Sequence, residues 1–120
     1  MVGRERFKVL YLKEAVEFLE SLDEKAREKI VFNISKAMHV VDKDLFKKMG
    51  DSDIWEFRTL YRGIAYRLLA FWDTESETLV VVAHGFVKKT RKTPKREIER
   101  ADGIRKRYFD FKRKYNGENR

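Results

Sequence analysis

The sequence predicts one α+β domain in which an N-terminal strand and a helical hairpin pack on an antiparallel sheet and a basic helix follows. Three observations predict it. The apolar period changes from two to 3.6 after Leu12; three alternating segments joined by short turns fill residues 54 to 86; and a three-and-four spacing returns after Pro94. At 120 residues the chain suffices for one hydrophobic core and is too short for two comfortable domains, so residues 1–120 are read as a single unit.

Phe7 to Leu12 reads as a short strand. Ala15, Phe18, Leu19 and Leu22 then recur at i, i+3, i+4 and i+7, the stripe of an amphipathic helix. Ser21-Leu22-Asp23-Glu24 matches a capping box opening a second helix, whose apolar face runs Ala26, Ile30, Ile34, Ala37, Met38 and Val41. Asp42 to Asp53 is polar and broken by Gly50, and is expected to be a loop with at most a helical turn. Ile54 to Tyr61, Ile64 to Trp72 and Thr78 to Phe86 are expected strands. Arg62-Gly63 forms the tight turn between the first two, and Asp73 to Glu77 the polar connector between the others. Thr93 is an N-cap candidate with Pro94 at the first helical position, and Ile98, Ala101, Ile104, Tyr108, Phe111 and Tyr115 form the last helical stripe. Asn116 to Arg120 is an expected frayed tail.

Charge is distributed unevenly. From Phe86 to Arg120 there are fourteen Lys or Arg against five Asp or Glu, whereas Met1 to Gly85 carries fourteen against fifteen, so the net +8 belongs to the last third. A cationic strand end and helix on a neutral body fits a phosphate-rich partner, which such a patch concentrates and which releases counterions on binding. Without cysteine there is no disulfide or thiolate metal site, and His39 and His84 are too few for a zinc centre without several carboxylates. No metal or cofactor is expected. No apolar run approaches a membrane span and Met1 to Arg6 lacks a signal-peptide core, so the expected location is cytoplasmic.

Strand alternation places Trp55, Phe57, Tyr66, Leu68, Ala70, Leu79, Val81 and Ala83 on the face toward the helices, and Glu56, Arg58, Arg67, His84 and Phe86 on the other. A turn centred on Arg62-Gly63 sets Arg58 opposite Arg67. One centred between Glu75 and Ser76 sets Arg67 opposite His84. Such a cationic row opposes its own folding and invites an anion. The plainer readings are a solvated Arg58 and Arg67 paired with Glu56, a packing role for His84, and a solvated connector from Lys88 to Arg96. There is no glycine-rich phosphate cradle and no nucleophile elbow.

Asp53-Ile54-Trp55-Glu56-Phe57-Arg58, Tyr66-Arg67-Leu68-Leu69 and the run His84-Gly85-Phe86-Val87-Lys88-Lys89-Thr90-Arg91-Lys92-Thr93-Pro94-Lys95-Arg96 resemble the HigB-like branch of the RelE superfamily of bacterial toxins. The resemblance is strong over Ile54 to Ala101 and rests on layout alone in the N-terminal half. It implies a small RelE-like fold and a type II toxin, an endoribonuclease that cleaves messenger RNA in the ribosomal A site and is held inactive by a helix-turn-helix, HigA-like antitoxin. By position, Arg67 corresponds to the family's phosphate-contacting arginine, Arg58 to a basic position on the preceding strand, Lys88 and Lys89 to basic residues after the last strand, and Phe86 to a base-stacking position. With His84 these give a catalytic set of Arg58, Arg67, His84, Lys88 and Lys89, and an RNA-binding set of Phe86, Arg62, Arg91, Lys92, Lys95 and Arg96. No tyrosine or carboxylate late in the chain matches the family's acid or base. The competing classes are a non-catalytic RNA- or ribosome-binding module and an inactive toxin relative.

Overall fold

The strand nearest the N-terminus pairs with the last strand of the sheet, in parallel. In the computed structural model, which describes residues 4–76 and 78–118, the elements run β1 (Lys8–Tyr11), α1 (Lys13–Glu20), α2 (Glu24–Ala37), β2 (Phe46–Lys48), β3 (Trp55–Tyr61), β4 (Ile64–Trp72), β5 (Leu79–Lys88) and α3 (Lys95–Glu118). The sheet order is β1-β5-β4-β3-β2, with β1 parallel to β5 and the other pairs antiparallel. The sheet is therefore mixed, and not antiparallel throughout as expected. The helical hairpin that follows β1 is the crossover that lets a parallel pair form.

Arg62 and Gly63 both take positive φ, 50° and 78°, the conformation whose twist matches a two-residue hairpin. The turn fixes the β3–β4 register as expected, with Arg58 facing Arg67 and Leu60 facing Ala65. Between β4 and β5 the expected register fails. Ala70 faces Val82, one residue beyond the expected pairing, and Leu69 faces His84, so an irregularity between Leu69 and Ala70 admits a further residue and Phe86, not His84, lies opposite Arg67.

Helices cover both faces of the sheet. On one, Phe57, Tyr66, Leu68, Ala70, Val80 and Val82 meet Ala15, Leu19, Ala26, Ile30, Ile34 and Ala37 of α1 and α2. On the other, Ile54, Leu69, Phe71, Val81 and Ala83 meet Ala101, Ile104 and Phe109 of α3. Leu79, Val81 and Ala83 thus pack under α3 and not under the hairpin, because the register with β4 turns Val80 and Val82 toward the hairpin.

Several local expectations are corrected. Asp23, not Ser21, caps α2, its carboxylate accepting from the Ala26 amide at 2.9 Å, while the Ser21 hydroxyl donates to the Phe18 carbonyl at 2.6 Å. Helix α2 ends at Ala37; Met38, its C-cap, still packs against the core as expected, whereas Val41 is exposed. The expected loop after α2 contains β2, whose Phe46 stacks on Phe57 with ring centroids 4.2 Å apart and plugs an aromatic cluster of Phe7, Trp55 and Trp72. On α3, Phe109 is buried whereas Phe111 and Tyr115 are exposed and stacked on each other. The tail expected to fray is helical through Glu118. Its last two residues lie outside the described residues, as do Met1 to Gly3 of the expected leaderless start and Glu77 of the polar connector.

Candidate active site

Helix α3 covers only part of its sheet face. Toward the β3–β4 turn the same face continues past Leu69 and Ile54 into the charged side chains of Glu56 and Arg58 of β3, Arg67 of β4 and Lys88 of β5, with Phe86 of β5 among them. Alternation puts these residues on one side, and the pairing Arg58 to Arg67 to Phe86 puts three of them in one row across the sheet.

At the centre lies Glu56, only 3% exposed. Its Oε1 is 3.3 Å from Nε of Arg67 and 3.5 Å from Nε of Arg58, so one carboxylate offsets two like charges that the ladder places side by side. Its Oε2 accepts a hydrogen bond from the Thr93 hydroxyl, which reaches in from the connector between β5 and α3. The Thr93 hydroxyl is thus turned to Glu56 rather than to the start of α3, where the Pro94 carbonyl accepts the first helical bonds, from the Glu97 and Ile98 amides. The plainer sequence reading named these partners, Arg58 and Arg67 paired with Glu56, but placed them in solvent, whereas Glu56 and Arg67 are buried; nothing in the sequence links Glu56 to Thr93.

Arg67 was expected to face solvent, yet it is 7% exposed, with one terminal nitrogen donating to the Tyr66 carbonyl at 3.1 Å. Burial makes its proton less firmly held than an arginine's usually is; Glu56 opposes this and Arg58 adds to it. Arg58 is more open, its side chain 31% exposed. The ammonium of half-buried Lys88 is likewise held below the usual lysine range, first by burial, then by the charge of Arg67, with Glu56 opposing and Arg58 and Lys47 adding.

Above these groups opens a cleft of about 400 Å³, lined by Lys47, Arg58, Lys88, Arg91 and Lys92 around Glu56, with Met49, Gly50, Thr93 and Ile98 completing the wall. Lys47 was hidden from sequence reading because β2 looked like loop. Lys89, Arg91 and Lys92 are exposed on the connector, and Lys95 and Arg96 are exposed on the first turn of α3. Arg62 sits at the hairpin tip, its guanidinium over the Tyr61 ring at 5.3 Å. Phe86 is half-buried beside Arg67 and packs at the edge of the α3 core.

His84 does not join this row. It is fully buried beneath α3, its Nε2 3.1 Å from the Glu97 carbonyl oxygen, and burial lowers its pKa more than that hydrogen bond restores, so it is neutral at neutral pH. Its burial follows from the irregularity after Leu69, which turns both Ala83 and His84 toward α3. Among the described residues no group of three or more His, Cys, Asp or Glu could hold a metal ion, and no helix is long and apolar enough to cross a membrane.

The Gp49-like family of phage-derived proteins (DUF891) matches residues 17–106. No curated protein matches the sequence. Among solved structures, the isolated E. coli RelE toxin aligns with a TM-score of 0.53 at 16% identity, covering 82% of this chain and 98% of that one. The intact E. coli RelBE toxin–antitoxin complex gives 0.52 at 16% identity, covering 70% and 99%, and the RelBE2 toxin–antitoxin complex of Mycobacterium tuberculosis gives 0.52 at 20%, covering 69% and 99%. With three quarters of its length matched by that family, and the RelE fold in its sheet and helices, the chain belongs to the Gp49-like proteins, a family of the RelE/HigB toxin type.

Proposed function

We propose that this protein is the toxin of a type II toxin–antitoxin system, a ribosome-dependent endoribonuclease that cuts messenger RNA in the cytoplasm and is neutralised by a cognate helix-turn-helix antitoxin. The observation that carries the reading is the cleft in which Arg58, Lys88, Arg91, Lys92 and Lys47 surround Glu56 above the buried Arg67. The toxin–antitoxin complexes among the fold's relatives support an antitoxin partner.

The chemistry suits these residues. The 2′-oxygen bonds to the adjacent phosphorus as its proton passes to solvent water, the bond to the 5′-oxygen breaks, and that oxygen takes up a proton, leaving a cyclic phosphate and a 5′-hydroxyl end. Arg58 and Arg67 supply positive charge to the phosphorane. Lys88, whose proton is loosened by burial and by its cationic neighbours, is the candidate donor to the departing oxygen. Orientation of the RNA by the ribosome supplies what a sparse acid–base set lacks, since positioning alone is worth about 7–11 kcal/mol in ideal cases. Activity on free RNA is accordingly weak.

Induced expression with mapping of RNA 5′ ends tests this. Wild type should arrest growth and create new ends within translated messages, and Arg58→Ala/Lys88→Ala should do neither while melting normally. A second reading, a non-catalytic RNA-binding module, draws on the burial of His84, which removes an imidazole from the cleft. Growth arrest without new RNA ends would favour that module and overturn the nuclease.

A further inference from the structure

We propose that Thr93 and Glu56 form a latch that sets the register between the two halves of the RNA site, an assignment that rests on the ribonuclease reading of the cleft. One half, Arg58, Arg67 and Lys88, is built on sheet strands and is rigid. The other half, Lys89, Arg91 and Lys92, lies on an exposed connector between β5 and α3. The Thr90 hydroxyl donates to the Lys92 carbonyl at 2.6 Å, which shapes this segment internally but ties it to nothing else.

Thr93 makes the tie. Its hydroxyl donates to Oε2 of a carboxylate 37 residues earlier in the chain, whose other oxygen faces the two arginines. Glu56 is thereby shared: Oε1 stands against the Nε atoms and leaves the outer end of the Arg58 guanidinium facing the cleft for another anion, while a terminal nitrogen of the buried Arg67 is held by the Tyr66 carbonyl, and Oε2 holds the connector down. Neither arginine Nε completes a hydrogen bond to it, so Glu56 acts as a counter-charge rather than as a tight ligand. Successive phosphates of one RNA strand must meet the connector cations and the arginine row together, and the latch fixes their separation. Thr93 and Glu56 are positioning residues. A displacement of about 1 Å at such a site costs on the order of 100-fold in rate, whereas the charges that attract RNA are untouched by loss of a hydroxyl.

The test compares Thr93→Val, which keeps the shape and removes the donor, with Thr93→Ser, which keeps the donor. In ribosome-bound message cleavage, Thr93→Val should lower kcat about 10- to 100-fold with KM changed by less than about 3-fold, and Thr93→Ser should stay within about 3-fold of wild type. Backbone amide hydrogen exchange in the free protein gives a readout that needs no activity: the amides of Glu97 and Ile98, which donate to the Pro94 carbonyl next to the latch, should exchange faster in Thr93→Val and at the wild-type rate in Thr93→Ser. If wild type cleaves nothing, the nuclease reading fails while the exchange arm still decides whether the latch exists. Unchanged exchange in Thr93→Val, equal defects in the Ser and Val variants, or a KM effect without a kcat effect would each overturn the latch.

Discussion

Tyr108 donates its hydroxyl proton to Asp73 Oδ2 at 2.6 Å, fastening the middle of α3 to the end of β4 far from the basic cleft. Lys112 reaches the same oxygen at 2.8 Å, and the Glu75 amide donates to Oδ1 at 2.8 Å. Asp73 is 1% exposed, and a buried carboxylate is tolerable only when its lone pairs are filled in this way.

The first prediction concerns acid. Burial alone would raise the pKa of Asp73, but the hydrogen bonds from Lys112, Tyr108 and Glu75 and the charge of Lys112 together hold it below the usual carboxylate value. A folded pKa below the unfolded value of about 3.9 contributes stability that is fully present above about pH 4 and is lost as pH falls through the folded value. Tyr108→Phe should cost about 1.5–3 kcal/mol in urea denaturation at pH 7, the range for a hydrogen bond to a charged group. At pH 2.5 the gap should narrow, and a gap that is independent of pH would show that the loss is one of packing.

A second prediction follows from Gly85, which lies on β5 directly against the side chain of Phe18. A Cβ at this position would stand 2.7 Å from Cε2 of that ring and closer still to Cδ2. Phe18 packs against the core between the helical hairpin and the sheet and cannot retreat freely. Gly85→Ala should therefore destabilise the protein by about 1–3 kcal/mol. Phe18→Leu should recover part of that loss in the double variant, and strict additivity of the two changes would place the strain elsewhere.

These two sites show what the sequence makes legible. Strand β4 and its register with β3 follow from local rules, since Ile64 to Trp72 is a nearly continuous apolar run of strand length and the two-residue Arg62-Gly63 connector makes a tight turn. The irregularity opposite Leu69 and Ala70 leaves no local mark, because it answers to the packing of α3, a later element, on Ala83 and His84. Together with a one-residue difference already present at the β4–β5 turn, it moved His84 out of the expected row and brought Phe86 in. Likewise β2 is three residues long, too short for periodicity, and exists because Phe46 fills the aromatic cluster. Alternation groups Arg58 and Arg67 with Glu56 as their partner, and the family resemblance adds Lys88, whereas the burial of Glu56 and Arg67 and Thr93 as donor to Glu56 needed coordinates.

A third prediction separates the two arginines. Arg67 is buried, with its side chain 8% exposed, while that of Arg58 is 31% exposed, and both lean on Glu56. Removing Arg67 leaves a buried carboxylate with the Thr93 hydroxyl and, as its ion-pair partner, the more distant, more solvated Arg58, and breaking a buried pair in this way costs on the order of 3–5 kcal/mol. Arg67→Ala should consequently lose activity and stability together, contrary to the intact fold that an exposed arginine would permit. Arg58→Gln removes a like charge beside Arg67 and should stay within about 1 kcal/mol of wild type, or exceed it, while cleavage falls. Urea denaturation of both variants beside RNA cleavage checks this, and equal stability losses would mean that burial does not distinguish the two positions.

The last prediction asks whether the place of a charge matters beyond its number. Lys89 and Arg91 are exposed on the connector above the cleft, whereas Lys106 and Arg113 are exposed on α3 beside Thr74 and Glu75, at the far end of the sheet. Replacing either pair with glutamine lowers the net charge equally. If the cleft is where RNA lies, only the first pair neutralises phosphates and releases counterions. For a single strand, log K falls against log salt with a slope of about −0.7 per phosphate contact, so Lys89→Gln/Arg91→Gln should make the slope shallower by about 1.4. Lys106→Gln/Arg113→Gln should leave it near wild type, because an exposed cation more than a Debye length of about 8 Å from the strand is largely screened at physiological salt. Fluorescence anisotropy of a labelled RNA oligonucleotide between 50 and 300 mM salt, about the range over which such slopes are read, provides the measurement. Equal changes for the two pairs would reduce the basic connector to one part of a diffuse cationic surface and remove the cleft's claim to the RNA.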